Sequence, residues 1–209
     1  YNISLHGQKT FNGVAILSKF PIEDVTKNLP HFHDPQARYI EAYTGGVRVA
    51  SLYAPNGSEV GSDKFSYKLS FYKHLILYLK EVLTLKEPFL IGGDYNIAPT
   101  DEDVHDPEKW KGSVLVSPEE RALFHEIKSM GLTDTLRLLH PEPQASNEDW
   151  YTWWDYRKGA WHRNWGLRID HILASPEACA LIDSVGVDKD LRGLERPSDH
   201  APYWCQLKI

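Results

Sequence analysis

The spacing of apolar and polar positions divides the chain into short strands and a few helices. After the turn at Asn12-Gly13, the run Val14-Ala15-Ile16-Leu17 predicts a buried strand ended by Pro21. Residues 38–43 and 47–53 predict two more strands, joined across Gly45-Gly46, and Pro55-Asn56-Gly57 closes the second. The period then lengthens. Ser62 and Asp63 can cap a helix in which Leu69, Tyr72, Ile76, Leu79 and Leu83 recur at three- and four-residue intervals, and Pro88 stops it. Phe89-Leu90-Ile91 is a short buried strand running into Gly92-Gly93. Ser117-Pro118-Glu119-Glu120 is a capping box that opens a helix ended by Gly131. Residues 150–156 and 167–174 predict strands, Ser175-Pro176 a short helix, and 203–207 a closing strand. Strands outnumber helices and come partly as hairpins, which predicts a mixed α/β sandwich in a single domain spanning 1–209, without repeats or linkers.

Composition narrows the class. Hydrophobic residues at 42% and charged residues at 25% exclude a disordered or fibrous chain. No apolar run approaches the roughly 18 residues of a membrane helix, so no membrane partner is expected. Cys179 and Cys205 cannot build a disulfide framework, which points to a reducing, cytoplasmic setting. A net charge of -6 argues against non-specific coating of polyanions, but local charge tells more. Between 157 and 168, Arg157, Lys158, Arg163 and Arg168 occur with no acid, close to Trp153, Trp154, Trp161 and Trp165. Such a segment can stack on nucleic acid, although the Trp153-Trp154 pair could equally be core. The five acids between 101 and 108 lack a calcium-loop pattern and read as a solvated loop.

Three short stretches could carry chemistry. In Gly92-Gly93-Asp94-Tyr95-Asn96, a carboxylate and an amide two residues apart leave the carboxyl end of a strand on the same side. That is a suitable place for a metal ligand in an open α/β sheet, or simply an Asp/Asn turn. In Ser198-Asp199-His200, an imidazole beside a carboxylate can orient a phosphate or take a proton, and the carboxylate can hold a hard cation. A surface turn after Pro197 is the alternative; adjacent residues cannot form a protease relay. In Arg168-Ile169-Asp170-His171, alternation sets Asp170 on the opposite face from Ile169 and His171, and a carboxylate there needs a partner, for which His200 is suited. Tyr53, Pro55 and Asn56 end a strand at what could be the same sheet edge, or form a proline turn. The other histidines show no ligand spacing, and phosphate-loop and dinucleotide fingerprints are missing.

In this order, the stretches 12–18, 51–57, 93–100, 151–157, 166–173 and 196–202 resemble the exonuclease III family of abasic-site endonucleases. That family belongs to the endonuclease/exonuclease/phosphatase superfamily, whose fold is a DNase-like four-layer α/β/β/α sandwich. The resemblance implies a Mg²⁺-dependent DNA-repair phosphodiesterase, with Mn²⁺ as the alternative metal. It would incise double-stranded DNA 5′ to abasic sites and also act as a 3′–5′ exonuclease and 3′ phosphatase on 3′ ends, as a monomer. Asp94 would be the general acid or base and Asn96 would hold the water or phosphate. His200, oriented by Asp170, would contact the scissile phosphate together with Tyr53. The metal would lie among Asp94, Asn96, Asp199 and His200. Trp153, Leu167 and Ile169 would wall the pocket of a flipped-out sugar, with Asn56 and Arg168 also on the DNA. The family's first strand, with an asparagine, and a following segment, with a metal-binding glutamate, have no counterpart here. The sandwich is therefore expected to lack its first strand and helix, the chain to be a fragment, and this fragment to bind metal weakly and cut poorly. Two other readings stand beside this one: a superfamily phosphodiesterase acting on a phospholipid or inositol phosphate, and a non-catalytic DNA-binding remnant.

Overall fold

A computed structural model describes residues 1–141 and 147–209. Its strands are β1 (Asn2–Gly7), β2 (Gly13–Ser18), β3 (Glu23–Lys27), β4 (Tyr39–Thr44), β5 (Val47–Tyr53), β6 (Phe89–Asp94), β7 (Thr133–Asp134), β8 (Asp170–Ala174), β9 (Ile182–Val187) and β10 (Tyr203–Leu207). The helices that bear on the site are α1 (Asp63–Val82), α2 (Pro107–Trp110), α3 (Pro118–Ser129) and α4 (Thr135–Leu139). Six strands make the main sheet in the order β3-β4-β5-β6-β8-β7, while β1-β2 and β9-β10 are separate antiparallel pairs. Within the main sheet only β5 and β6 run parallel, and the crossover between them is α1.

Side-chain alternation sorts the layers. Ala50, Leu52, Phe89, Ile91 and Leu173 pack with Tyr72, Leu75, Ile76 and Leu79 of α1. The intervening positions face the other way. There Ile40 and Ala42 meet Val14 and Ile16 of β2, and Val47, Leu90 and Ala174 meet Ile182 of β9 and Cys205 and Leu207 of β10. The result is helices, then the six-stranded sheet, then two strand pairs, the α/β sandwich expected. Ser62 accepts from the Phe65 amide at 3.1 Å and starts α1. The Ser117/Glu120 capping box starts α3, with Pro118 in its first turn.

Several elements differ from the sequence expectation. Residues 150–156 form no strand: Trp153 makes single bridges to Leu167 and to His200, while Trp154 turns into the core. The strand expected at 167–174 begins only at Asp170. The structure adds strands β1, β3, β7 and β9, which the sequence pattern does not predict; in β9 the residues Asp183, Ser184 and Gly186 hide the apolar alternation. The buried face of α1 includes Lys68. No helix among the described residues is long and apolar enough to cross a membrane.

One glycine fixes the approach of the two central strands. Gly93 has φ +144°, and a Cβ there would lie 1.9 Å from the Leu52 carbonyl oxygen. Only glycine lets β6 run this close to β5 immediately before Asp94.

Candidate active site

The strand register sets up a row of three functional side chains. Tyr53 on β5 pairs with Asp94 on β6, and Asp94 pairs with Asp170 on β8. The sheet itself therefore places a phenol and two carboxylates side by side. Tyr53 is held from behind by Arg38, which donates to the Tyr53 carbonyl at 3.0 Å and lies 5.0 Å over its ring. Burial and the neighbouring Asp94 charge push the Tyr53 phenol up.

Asn96 clamps Asp94. Its backbone amide donates to Asp94 Oδ1 at 2.8 Å and its side-chain nitrogen to Asp94 Oδ2 at 2.9 Å. The same nitrogen donates to the Ala54 carbonyl at 3.0 Å, and Asn96 Oδ1 accepts from Asn56 Nδ2 at 2.9 Å. Asn96 stands at φ +50°, a left-handed conformation that asparagine tolerates and that turns the chain back over Asp94. Burial, then the facing Asp170 charge, raises the Asp94 carboxyl to about 7, against the pull of His200.

His200 reaches the row from the last loop. Its Nδ1 lies 2.8 Å from Asp170 Oδ2. Burial pulls its pKa down, but the hydrogen bond and charge of Asp170, with Asp94 and Asp199, hold it at about 9. Held in this way, it presents a charged N–H donor beside Asp94. Asp199 is turned by Trp153, whose indole nitrogen donates to Asp199 Oδ2 at 3.0 Å. Thr152 ties the segments together, accepting on Oγ1 from the amides of Ile169 and Asp170 and on its carbonyl from Ala201.

Arg168 does not face a ligand. It is buried and donates to Asp103 at 2.7 Å, to Asp134 at 2.8 Å and to His171 Nδ1 at 3.0 Å. Asp103, expected in a solvated loop, is likewise buried; burial pushes its carboxyl up, but the charge and hydrogen bond of Arg168, with the Arg137 charge, together hold it at about 2. His171 Nε2 lies 2.9 Å from the Ile97 carbonyl, so this cluster anchors the loop that follows Asp94. Leu167 and Ile169 are also fully buried, in a cluster with Ala98, Val104 and Val116. They back the half-exposed Trp153 instead of presenting a wall themselves. An arginine between apolar strand positions was open to either reading; only its partners, 65 and 34 residues away in sequence, decide it.

The basic, aromatic segment divides. Trp154 is core, packed edge-to-face against Trp161. Trp165 lies outward, stacked on His105, with Arg163 4.6 Å and Lys109 5.0 Å from its ring centre. Trp165, His105 and Lys109 line a cavity of about 340 Å³ together with Trp110, Trp153, Lys158 and the Arg157–Asp155 ion pair. Lys109 and His105 were not picked out from sequence, since neither lies in a recognisable pattern.

Asp94, Asp170 and Asp199 present hard oxygens, and two facing carboxylates are a concentration of negative charge that a divalent cation would relieve. Among the described residues no three acidic, histidine or cysteine side chains converge into a cage. A cation here would complete its shell with water and substrate oxygens, as Mg²⁺ commonly does.

The sequence matches the endonuclease/exonuclease/phosphatase family over residues 1–200. It is 37% identical over 220 residues to exodeoxyribonuclease III of Haemophilus influenzae, covering 100% of this chain and 81% of that protein. A 3′ phosphatase, NExo from Neisseria, solved with product DNA hairpin, superposes with a TM-score of 0.94 at 43% identity, over 100% of this chain and 79% of the other. An AP endonuclease from Archaeoglobus fulgidus gives 0.92 at 35% identity, over 100% and 80%. With the Tyr53–Asp94–Asp170 row and its His200 partner in place, these matches fix the affiliation: the chain belongs to the endonuclease/exonuclease/phosphatase family.

Proposed function

We propose that this chain is a metal-dependent DNA-repair phosphodiesterase that incises DNA 5′ to abasic sites, with 3′–5′ exonuclease and 3′ phosphatase activity at the same centre. The observation that carries the reading is the His200–Asp170 pair beside the clamped Asp94, next to a cavity of tryptophans and cations. The cavity favours DNA over lipid or inositol phosphate, because indole faces and basic side chains suit nucleotides and their phosphates. Relatives carrying repair-nuclease names, among them DNA repair nuclease APEX1 of Danio rerio, support the same substrate class.

In this scheme the Asp94 carboxylate, aimed by Asn96, takes the proton of the attacking water as its oxygen bonds to phosphorus. The bond from phosphorus to the leaving 3′ oxygen breaks, and that oxyanion takes a proton from solvent water, giving a 3′ hydroxyl upstream and a 5′ phosphate on the baseless sugar. The His200 imidazolium, fixed by Asp170, stabilises the charge growing on the non-bridging oxygens. Tyr53 donates to the same phosphate, and Asn56 and Asn96 keep the Asp94 carboxylate aimed. Mg²⁺, or Mn²⁺, held by Asp94 and Asp199, would neutralise phosphate charge. Trp153 and Trp165 would meet the nucleotides flanking the cut. A monomer suffices for all of these contacts.

The test is gel-resolved incision of a duplex carrying one abasic-site analogue, with Mg²⁺ and with chelator, beside Asp94→Asn. A single Mg²⁺-dependent cut 5′ to the lesion, lost in the variant, is the expected result. Turnover of a phospholipid or soluble phosphodiester in its place would move the substrate to another branch, and salt-dependent DNA binding without cleavage would mark a non-catalytic module.

A further inference from the structure

Lys68 of α1 is fully buried, as is the carboxylate it meets, Glu120 of α3. Its ammonium makes three hydrogen bonds: to Glu120 Oε1, to the Asn96 carbonyl at 2.5 Å, and to the Asn56 carbonyl at 3.1 Å. Glu120 in turn accepts from the amides of Leu115 and Ser117, both at 3.0 Å. A buried ion pair seldom adds net stability over apolar residues of equal volume, so stability alone gives little reason for a lysine here. A methionine could fill the space. What it could not supply is a donor shared by the two loops whose asparagine side chains bond each other, one of which clamps Asp94. All three donors of the ammonium are used, and two of them end on those loops. Gly57, at φ +92°, leaves room for the stem: a Cβ there would lie 3.1 Å from Lys68 Cδ.

We infer that Lys68 is a positioning residue that holds the Asn56 and Asn96 loops in register and so aims the Asp94 carboxylate, acting through their carbonyl oxygens without touching substrate. The kinetic arm of its test rests on the phosphodiesterase reading above. Glu120→Gln removes the counter-charge of a buried ammonium and lowers the melt, but keeps a nitrogen donor on both carbonyls; K68M/E120Q removes that donor and leaves no buried charge. Against the abasic duplex, kcat of the double variant is expected to fall about 10²-fold, the usual consequence of a misaligned group. KM stays within about threefold, and Glu120→Gln stays within about threefold in both constants, because the lost interaction matters only in the transition state. Equal kcat losses in the two variants, a double variant with wild-type kcat, or one without a cooperative melt would each overturn the inference; the last would make Lys68 a folding determinant only.

If the wild-type protein cleaves no DNA, the inference is judged by NMR. The Asn96 side-chain amide hydrogens should exchange at least about tenfold faster in K68M/E120Q than in Glu120→Gln, following local opening of the loop. Equal exchange in the two variants would overturn it.

Discussion

Acidification should weaken this fold through one buried imidazole. His171 is fully buried, with Arg168 beside Nδ1 and the Ile97 carbonyl beside Nε2, and Asp103 and Asp134 on the far side of the guanidinium. The arrangement needs the neutral tautomer that accepts at Nδ1 and donates at Nε2. Burial, then the Arg168 charge, lowers its pKa to about 4, against about 6.5 for an unfolded histidine. The unfolded chain therefore binds the proton first, and stability falls with pH between those two values. The whole effect is about 3 kcal/mol at about 1.4 kcal/mol per unit, of which about 2 kcal/mol falls between pH 7 and pH 5. The measurement is urea unfolding, followed by tryptophan fluorescence in chelator, at both pH values for the wild type and His171→Asn. The asparagine keeps an acceptor near Arg168 but does not titrate. His200 works with the opposite sign: its raised pKa gives stability that is complete below about 6.5 and lost toward about 9, and it cancels between the two proteins. The wild type should lose about 2 kcal/mol more than the variant, or about 1 M in urea midpoint at an m-value near 2 kcal/mol/M. Equal losses in the two proteins would refute the assignment of His171 as the acid-labile group.

Other outcomes follow from the same packing. Arg168→Met takes the Arg168 cation from buried Asp134 and leaves Asp103 with Arg137 alone, and thermal melting should report a loss of about 3–5 kcal/mol at neutral pH. Gly93→Ala drives a methyl into the Leu52 carbonyl oxygen; it should yield little soluble protein or a melt lowered by well over about 3 kcal/mol, and a wild-type melt would contradict the close approach. Trp165→Ala removes the outward indole between Arg163 and Lys109. DNA binding at fixed salt should weaken by about 1–3 kcal/mol, as read by fluorescence anisotropy, while the melt falls but stays cooperative, since the ring also packs against the Tyr151, Trp154 and Ala160 cluster.

The chemistry-bearing residues were more legible than the strands that carry them. Asp94, Asn96, Asp170 and His200 stand in short stretches that taken singly could be turns, but that together and in order suggest one site, and the expected Asp170–His200 pairing is present. Helices α1 and α3 could be read because their caps are local signals. Strand β9 could not, because its pairing with β10 overrides an interrupted alternation. Arg168 and Asp103 misled for a related reason. Charge in a sequence suggests solvent, and only distant partners make burial tolerable. Lys68 did leave a trace: it lies three residues after Phe65 and three before Phe71, inside the apolar stripe of α1.

The alignment of Tyr53, Asp94 and Asp170 on neighbouring strands has an engineering consequence. Their separations are set by the hydrogen-bond ladder of the sheet, at about 5 Å per strand. That spacing is a property of the backbone and does not respond to what the rim loops present. The surfaces that would touch a substrate, at 105–113 and 153–165, are loops and short helices outside that ladder. Loop exchange at those two stretches should retune which molecule is admitted while leaving the reacting groups at their distances. A single residue inserted into β6 before Asp94 would do the reverse, turning the carboxylate to the opposite face of an otherwise intact scaffold.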